Sequence, residues 1–149
     1  MNVQRTIRVA RPQPEAFALF TDRIASWWPL REGFSYGGDR CSSIHLEARL
    51  GGRFFERFVD GDEFQVGTVT ACEVPSRIVF SWAPPVWSGA TEVEVRFTPD
   101  GDDATTVHLE HRGFEALGPE AEATRNGFAN GWVRVLDAYA GHAVPATDD

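Results

Sequence analysis

Lysine is absent: all fourteen basic residues are arginine. Lysine Schiff-base and lysine general-base chemistry are therefore excluded. The all-arginine usage also fits a GC-rich bacterial genome. Cysteine is scarce. Cys41 and Cys72 form neither a CxxC pair nor a metal-ligand spacing. Two reduced thiols are expected, as in other cytosolic chains. No apolar run approaches the roughly 18 residues of a membrane span. The opening "MNVQRTIRVA" lacks the apolar core of a signal peptide. A cytoplasmic protein with no membrane insertion is expected. Repeats, low-complexity tracts and a GxSxG elbow are also missing. "GGDR" and "LGGR" lack the strand–GxGxxG–helix context of a nucleotide site. With a net charge of −8 and no dense basic patch, nucleic acid is not an expected partner.

What is present describes one folded unit. The 149 residues suit a single domain, with 42% hydrophobic and 24% charged residues. Chains of this size bury about 68–70% of their unfolded surface. The domain is expected to span residues 1–143, with a disordered tail at 144–149, "VPATDD".

Hydrophobic period assigns the elements. "VQRTIRV" reads as a first strand, and "PQPEAFALF" as a short helix. A second short helix, "RIASWW", is expected to be capped by Thr21 or Asp22 and stopped by Pro29. Residues 30–43 read as a loop rich in glycine and serine, long enough to suspect a functional or mobile segment. The period then becomes two. "SIHLEAR", "GGRFFERFV", "EFQVGTVTACEV", "RIVFSWAP", "TEVEVRFTP" and "TTVHLEHRGF" are successive strands separated by glycine, aspartate and proline turns. Such short connections imply an antiparallel meander. A long helix from about Pro119 to Ala143 carries Phe128, Trp132, Val135, Leu136 and Tyr139 on one stripe. This helix is expected to cover the apolar face of the sheet.

The segments "FTDRIASWWP", "GGRFFERFVDGDEFQVGTVTACEVPSRIVFSW", "TEVEVRFTPDG", "LEHRGFE" and "GWVRVL" resemble the START-like helix-grip (SRPBCC) superfamily. Its members include START lipid-transfer domains, the major birch-pollen allergen and polyketide cyclases. Within it, the chain is most similar to bacterial domains related to the C-terminal domain of the heat-shock protein 90 ATPase activator. The resemblance implies an α+β fold: a curved seven-stranded antiparallel sheet wrapped around a long C-terminal helix, with two short helices after the first strand. It also implies an apolar cavity between sheet and helix, and it allows a chaperone partner and a stress-response role. The chain is expected to lack the N-terminal domain of the eukaryotic co-chaperone, which sets the chaperone role second. Because one scaffold hosts carriers, cyclases and regulators, function has to be argued from the site.

Strand parity selects the candidates. Val107 and Leu109 should face inward, and His111 with them; Phe54 and Phe58 should carry Glu56 inward. A bulge at Gly51–Gly52 would alter that last parity. Glu56 and His111 could then orient a polar ligand group or act as acid and base. "HLEH" lies on a strand, so His108 and Glu110 oppose His111 and metal ligands do not converge. The acidic turns "DGDE" and "PDGDD" lack the twelve-residue calcium loop. Of Trp27 and Trp28, one should plug the core or line the cavity mouth and the other be partly exposed. The expected cavity set is Trp28, Phe54, Glu56, Phe64, Val66, Trp82, Val95, His111, Phe128 and Trp132.

The leading expectation is thus a domain that binds an apolar or aromatic small molecule, without cofactor or metal. A chaperone-regulating module and a cyclase or hydratase using Glu56 and His111 are the alternatives. Homodimerisation is left open. "GFANGW" poses a separate question, since each glycine inside a helix costs about 1 kcal/mol relative to alanine. Gly127 and Gly131 lie on the flank of the apolar stripe. They either allow close backbone approach or leave a notch that extends the cavity.

Overall fold

The computed structural model describes residues 2–143; the expected tail lies outside the described residues. Strands and helices follow in the order β1 (Val3–Val9), α1 (Gln13–Phe20), β2 (Cys41–Leu46), β3 (Arg53–Phe58), β4 (Glu63–Glu73), β5 (Arg77–Trp82), β6 (Thr91–Pro99), β7 (Thr105–Arg112) and α2 (Ala121–Ala143). The strands form one antiparallel sheet, β1-β7-β6-β5-β4-β3-β2. β2 to β7 are a meander, and β1 closes the far edge on β7, Val3 opposite His111. This is the helix-grip architecture.

The alternation that defined the strands also decides their faces. Along β7, Thr105, Val107, Leu109 and His111 are buried and the residues between them are half-buried. α2 lies on the inner face with Trp132, Val135, Leu136 and Tyr139 buried. Tyr139 donates its hydroxyl proton to the Ala16 carbonyl at 2.7 Å, which ties α2 to α1. Phe20 packs between Trp27 and Tyr139, with ring centroids 5.4 and 5.2 Å away. This aromatic cluster fills one end of the grip.

Three bulges curve the sheet. Ser42, Val66 and Thr70 each add a residue without a partner directly opposite, and bulges bend a strand and raise its twist. The expected bulge at Gly51–Gly52 is instead on the facing strand, at Val66. Beside it, a Cβ on Gly67 would run into the Ser81 carbonyl, so only glycine lets β4 approach β5 there.

Some local expectations are corrected. The second short helix is a single 3-10 turn, Ile24–Ser26, without a side-chain cap. Thr21 closes α1 instead: its amide and hydroxyl both reach the Phe17 carbonyl, at 3.0 and 2.8 Å. Residues 30–43 hold two 3-10 turns, Leu30–Glu32 and Gly38–Arg40, and β2 has begun by Cys41. α2 begins at Ala121, two residues beyond the expected Pro119; the preceding stretch Phe114–Glu120 is 3-10, and the positive φ of 67° at Gly118 turns the chain just ahead of Pro119. Both Trp27 and Trp28 are buried. Among the described residues, no helix is long and apolar enough to cross a membrane.

Candidate functional site

A cavity of about 380 Å³ lies between α2 and the inner faces of β2 to β5. Trp28 and Trp82 wall it with Phe54, Phe128 and Trp132; Val66 and Glu56 complete the part expected from sequence. The aromatic rings pack edge to face. Trp28 meets Trp132 at 6.1 Å, and Trp82 meets Phe128 at 5.2 Å, the geometry that aromatic quadrupoles favour. Trp28 is fixed further by donating its indole N–H to the Phe34 carbonyl at 2.7 Å.

Phe64, Val95 and His111 do not line the cavity. Val95 sits in the solid core, paired with Ile78 and Leu109. Phe64 lies at the rim and stacks on Tyr36 with centroids 5.2 Å apart. His111 is fully buried behind the aromatic wall, among Phe114 (4.5 Å), Phe128 (4.9 Å) and Trp82 (5.6 Å).

Glu56 and His111 face the same side of the sheet, yet the structure does not bring them together. Glu56 is 1% exposed. Its two carboxyl oxygens accept the backbone N–H groups of Tyr36 at 2.7 Å and Gly37 at 3.0 Å. His111 is engaged elsewhere, with Thr91 at 2.7 Å and Trp132 at 3.0 Å. Burial pushes its pKa down to about 3, so the ring is neutral at pH 7. An acid–base pair acting on one ligand is not assembled. His108 lies on the outer face, where its ring contacts the Thr6 hydroxyl at 2.8 Å.

The segment that forms the mouth lies in the loop suspected from its length, but none of its residues was among the expected site residues. Gly33, Phe34, Ser35 and Tyr36 face Thr124, Gly127, Phe128 and Gly131 of α2 across the cavity. Tyr36 is 41% exposed, and its hydroxyl accepts the Trp82 indole N–H at 2.9 Å. The phenol therefore reaches inward from the rim. Burial raises its pKa, the Trp82 bond opposes this, and the nearby Glu56 adds to the rise. The sequence signal was the length of a glycine- and serine-rich loop, which does not say which of its residues reach the cavity.

The two helix glycines border this mouth. A Cβ on Gly127 would meet nothing within 4 Å, and one on Gly131 would meet only the Phe34 ring, at 3.4 Å. Among the described residues, no backbone outside α2 itself comes within 4 Å of either Cβ position. The glycines leave a notch in the cavity wall.

Comparison with known proteins adds to this geometry. The family model described as "Activator of Hsp90 ATPase homolog 1-like protein" matches residues 10–141. None of the curated proteins matches. Protein MLL2253 from Mesorhizobium loti has a similar structure, with 17% identity, a TM-score of 0.71 and full coverage of both chains. CalC from Micromonospora echinospora, a self-sacrificing resistance protein, is 26% identical with a TM-score of 0.68, over 95% of this chain and 93% of its own. Txn09, an anthrahydroquino-gamma-pyrone synthase, is 25% identical with a TM-score of 0.61, over 94% of this chain and 95% of its own.

Proposed function

The chain belongs to the Activator of Hsp90 ATPase homolog 1-like family, and on that footing we propose that it binds an apolar or aromatic small molecule between sheet and α2. The observation that carries this reading is the aromatic-walled cavity itself. Its volume of about 380 Å³ falls within the roughly 300–1,000 Å³ of small-molecule pockets. It opens beside a loop rather than being sealed. The resemblance to a synthase named for a fused aromatic product supports a flat ligand.

Three cavity tryptophans give a direct test. Trp28, Trp82 and Trp132 line the space, so a neutral two- or three-ring aromatic is expected to quench their emission saturably. Native mass spectrometry of freshly purified protein is expected to show a bound small molecule released on denaturation. Absence of both signals from folded protein overturns the reading.

The family description favours a second reading, regulation of an Hsp90-type ATPase. It predicts that adding the protein changes the ATP hydrolysis rate of the host's Hsp90 homologue. An unchanged rate at saturating protein, with no complex on co-purification, removes it.

A further inference from the structure

The cavity's polar groups are few, and their bonding restricts what the ligand can be. Tyr36 accepts from Trp82 Nε1 at 2.9 Å. Tryptophan is a donor only, so the tyrosine oxygen is the acceptor in that bond and its own proton is still available. Among the described residues no acceptor takes that proton. The proton stays on the oxygen near neutral pH, as in any phenol of ordinary pKa about 10, and burial raises the Tyr36 pKa further.

The position of this donor is built. Glu56 holds the Tyr36 and Gly37 amides from within the sheet. The Tyr36 ring is stacked on Phe64, and Phe64 stacks in turn on Phe58 at 6.2 Å. One side chain thus fixes the backbone under Tyr36, a second supports the ring, and Trp82 fixes the hydroxyl. A donor ordered before binding loses little freedom when a ligand arrives.

Charge is as selective as the donor. Among the described residues no arginine lines the cavity, while the acidic Glu56 does. A carboxylate or sulfonate entering it would lose its hydration without gaining a cationic partner, which is strongly unfavourable.

Resting on the small-molecule reading above, we infer that the ligand is an uncharged, flat aromatic carrying a carbonyl-type acceptor oxygen, which Tyr36 receives at the mouth as hydrogen-bond donor. Anionic amphiphiles such as fatty acids are rejected. The substrate class is that of aryl ketones and quinone-like ring systems rather than lipids.

A matched set of probes tests this: 9-fluorenone, fluorene and fluorene-9-carboxylate, titrated by tryptophan quenching into wild-type protein and Tyr36→Phe. Fluorenone is expected to bind the wild type about tenfold more tightly than fluorene, the scale of one hydrogen bond. The carboxylate should bind at least about tenfold more weakly than fluorene. Tyr36→Phe should abolish the preference for fluorenone over fluorene; because the substitution also takes the acceptor from the Trp82 indole N–H, the result is read as the ratio of the two affinities within each protein, and measurable fluorene binding verifies that the variant cavity persists. Equal binding of fluorenone and fluorene to the wild type, or an unaltered preference in Tyr36→Phe, overturns the inference and leaves the cavity reading standing. Tight carboxylate binding also overturns it. Failure of all three probes to bind folded wild type overturns the inference, and together with no bound small molecule in native mass spectrometry it overturns the cavity reading as well.

Discussion

Trp132 on α2 donates its indole N–H to Nδ1 of His111 on β7 at 3.0 Å, inside the core. Because the indole can only donate, Nδ1 must accept, and the ring proton is assigned to Nε2. Nε2 then donates to the Thr91 hydroxyl at 2.7 Å, and Thr91 donates to the Trp82 carbonyl at 2.8 Å. Every donor in the chain finds an acceptor only while His111 is neutral. The network joins the helix to three strand positions and backs the aromatic wall of the cavity.

Acid should therefore weaken the fold before the carboxylates titrate. The His111 pKa is lowered by burial from about 6.5 to about 3, so the unfolded chain binds this proton first. Stability from this group is complete above about pH 6.5 and is lost as the pH falls toward 3, with a slope of about 1.4 kcal/mol per pH unit. His45, also lowered chiefly by burial, acts in the same direction. The Glu94 contribution lies lower. Burial raises its pKa, but hydrogen bonds from Arg77 and Arg112 outweigh that and bring it to about 2. Urea midpoints measured from pH 7.5 to 5 in wild type and His111→Gln isolate the term. The wild type should lose stability relative to the variant as pH falls, while the variant is less stable at pH 7.5 by about 1–3 kcal/mol.

Glu56 should act on the mouth rather than on the sheet. Its carboxyl accepts two backbone donors; a glutamine offers one acceptor and turns an N–H₂ toward the other donor. Glu56→Gln is expected to cost about 1–3 kcal/mol. Hydrogen exchange at the Tyr36 and Gly37 amides should accelerate tenfold or more, with β6 and β7 unchanged. Uniform acceleration across the sheet would count against a local role.

Tyr139 tests the other end of the grip. Its hydroxyl bond to Ala16 is a direct polar tie between α2 and α1, and its pKa is raised by burial. Tyr139→Phe keeps the ring packing and removes the bond, so a loss of about 0.5–1.5 kcal/mol is expected in denaturant unfolding. Probe binding should be unchanged.

The fold was legible wherever one period ruled a segment. Alternation in "TEVEVRF" and "TTVHLEHR" gave β6, β7 and the inward face of His111 correctly. Bulges were not legible, because the extra residues at Ser42, Val66 and Thr70 are defined by partners on other strands. The wall of the cavity was read from aromatic residues at inward positions. Parity fixes a side of the sheet but not depth, which is why Val95 and His111 belong to the solid core. The mouth was hidden for a different reason. Tyr36 gains its place from Glu56, twenty residues on, and from Trp82, 46 residues on, and no local pattern encodes either contact.

Gly127 and Gly131 decide between close packing and an open notch, and substitution separates the two. A Cβ on Gly127 meets nothing within 4 Å. Gly127→Ala should therefore stabilise the protein by up to about 1 kcal/mol through helix propensity alone. Close packing would instead make that change destabilising. Gly131→Leu carries the argument further. Its Cβ would stand 3.4 Å from the Phe34 ring, an ordinary contact, and the rest of the side chain would extend into space that both glycines now border. The variant is expected to fold with a thermal midpoint within a few degrees of wild type, yet to bind a neutral aromatic probe at least tenfold more weakly. A large fall in thermal midpoint with probe affinity retained would show that the glycines serve packing, and the cavity would then end at Phe128 and Trp132.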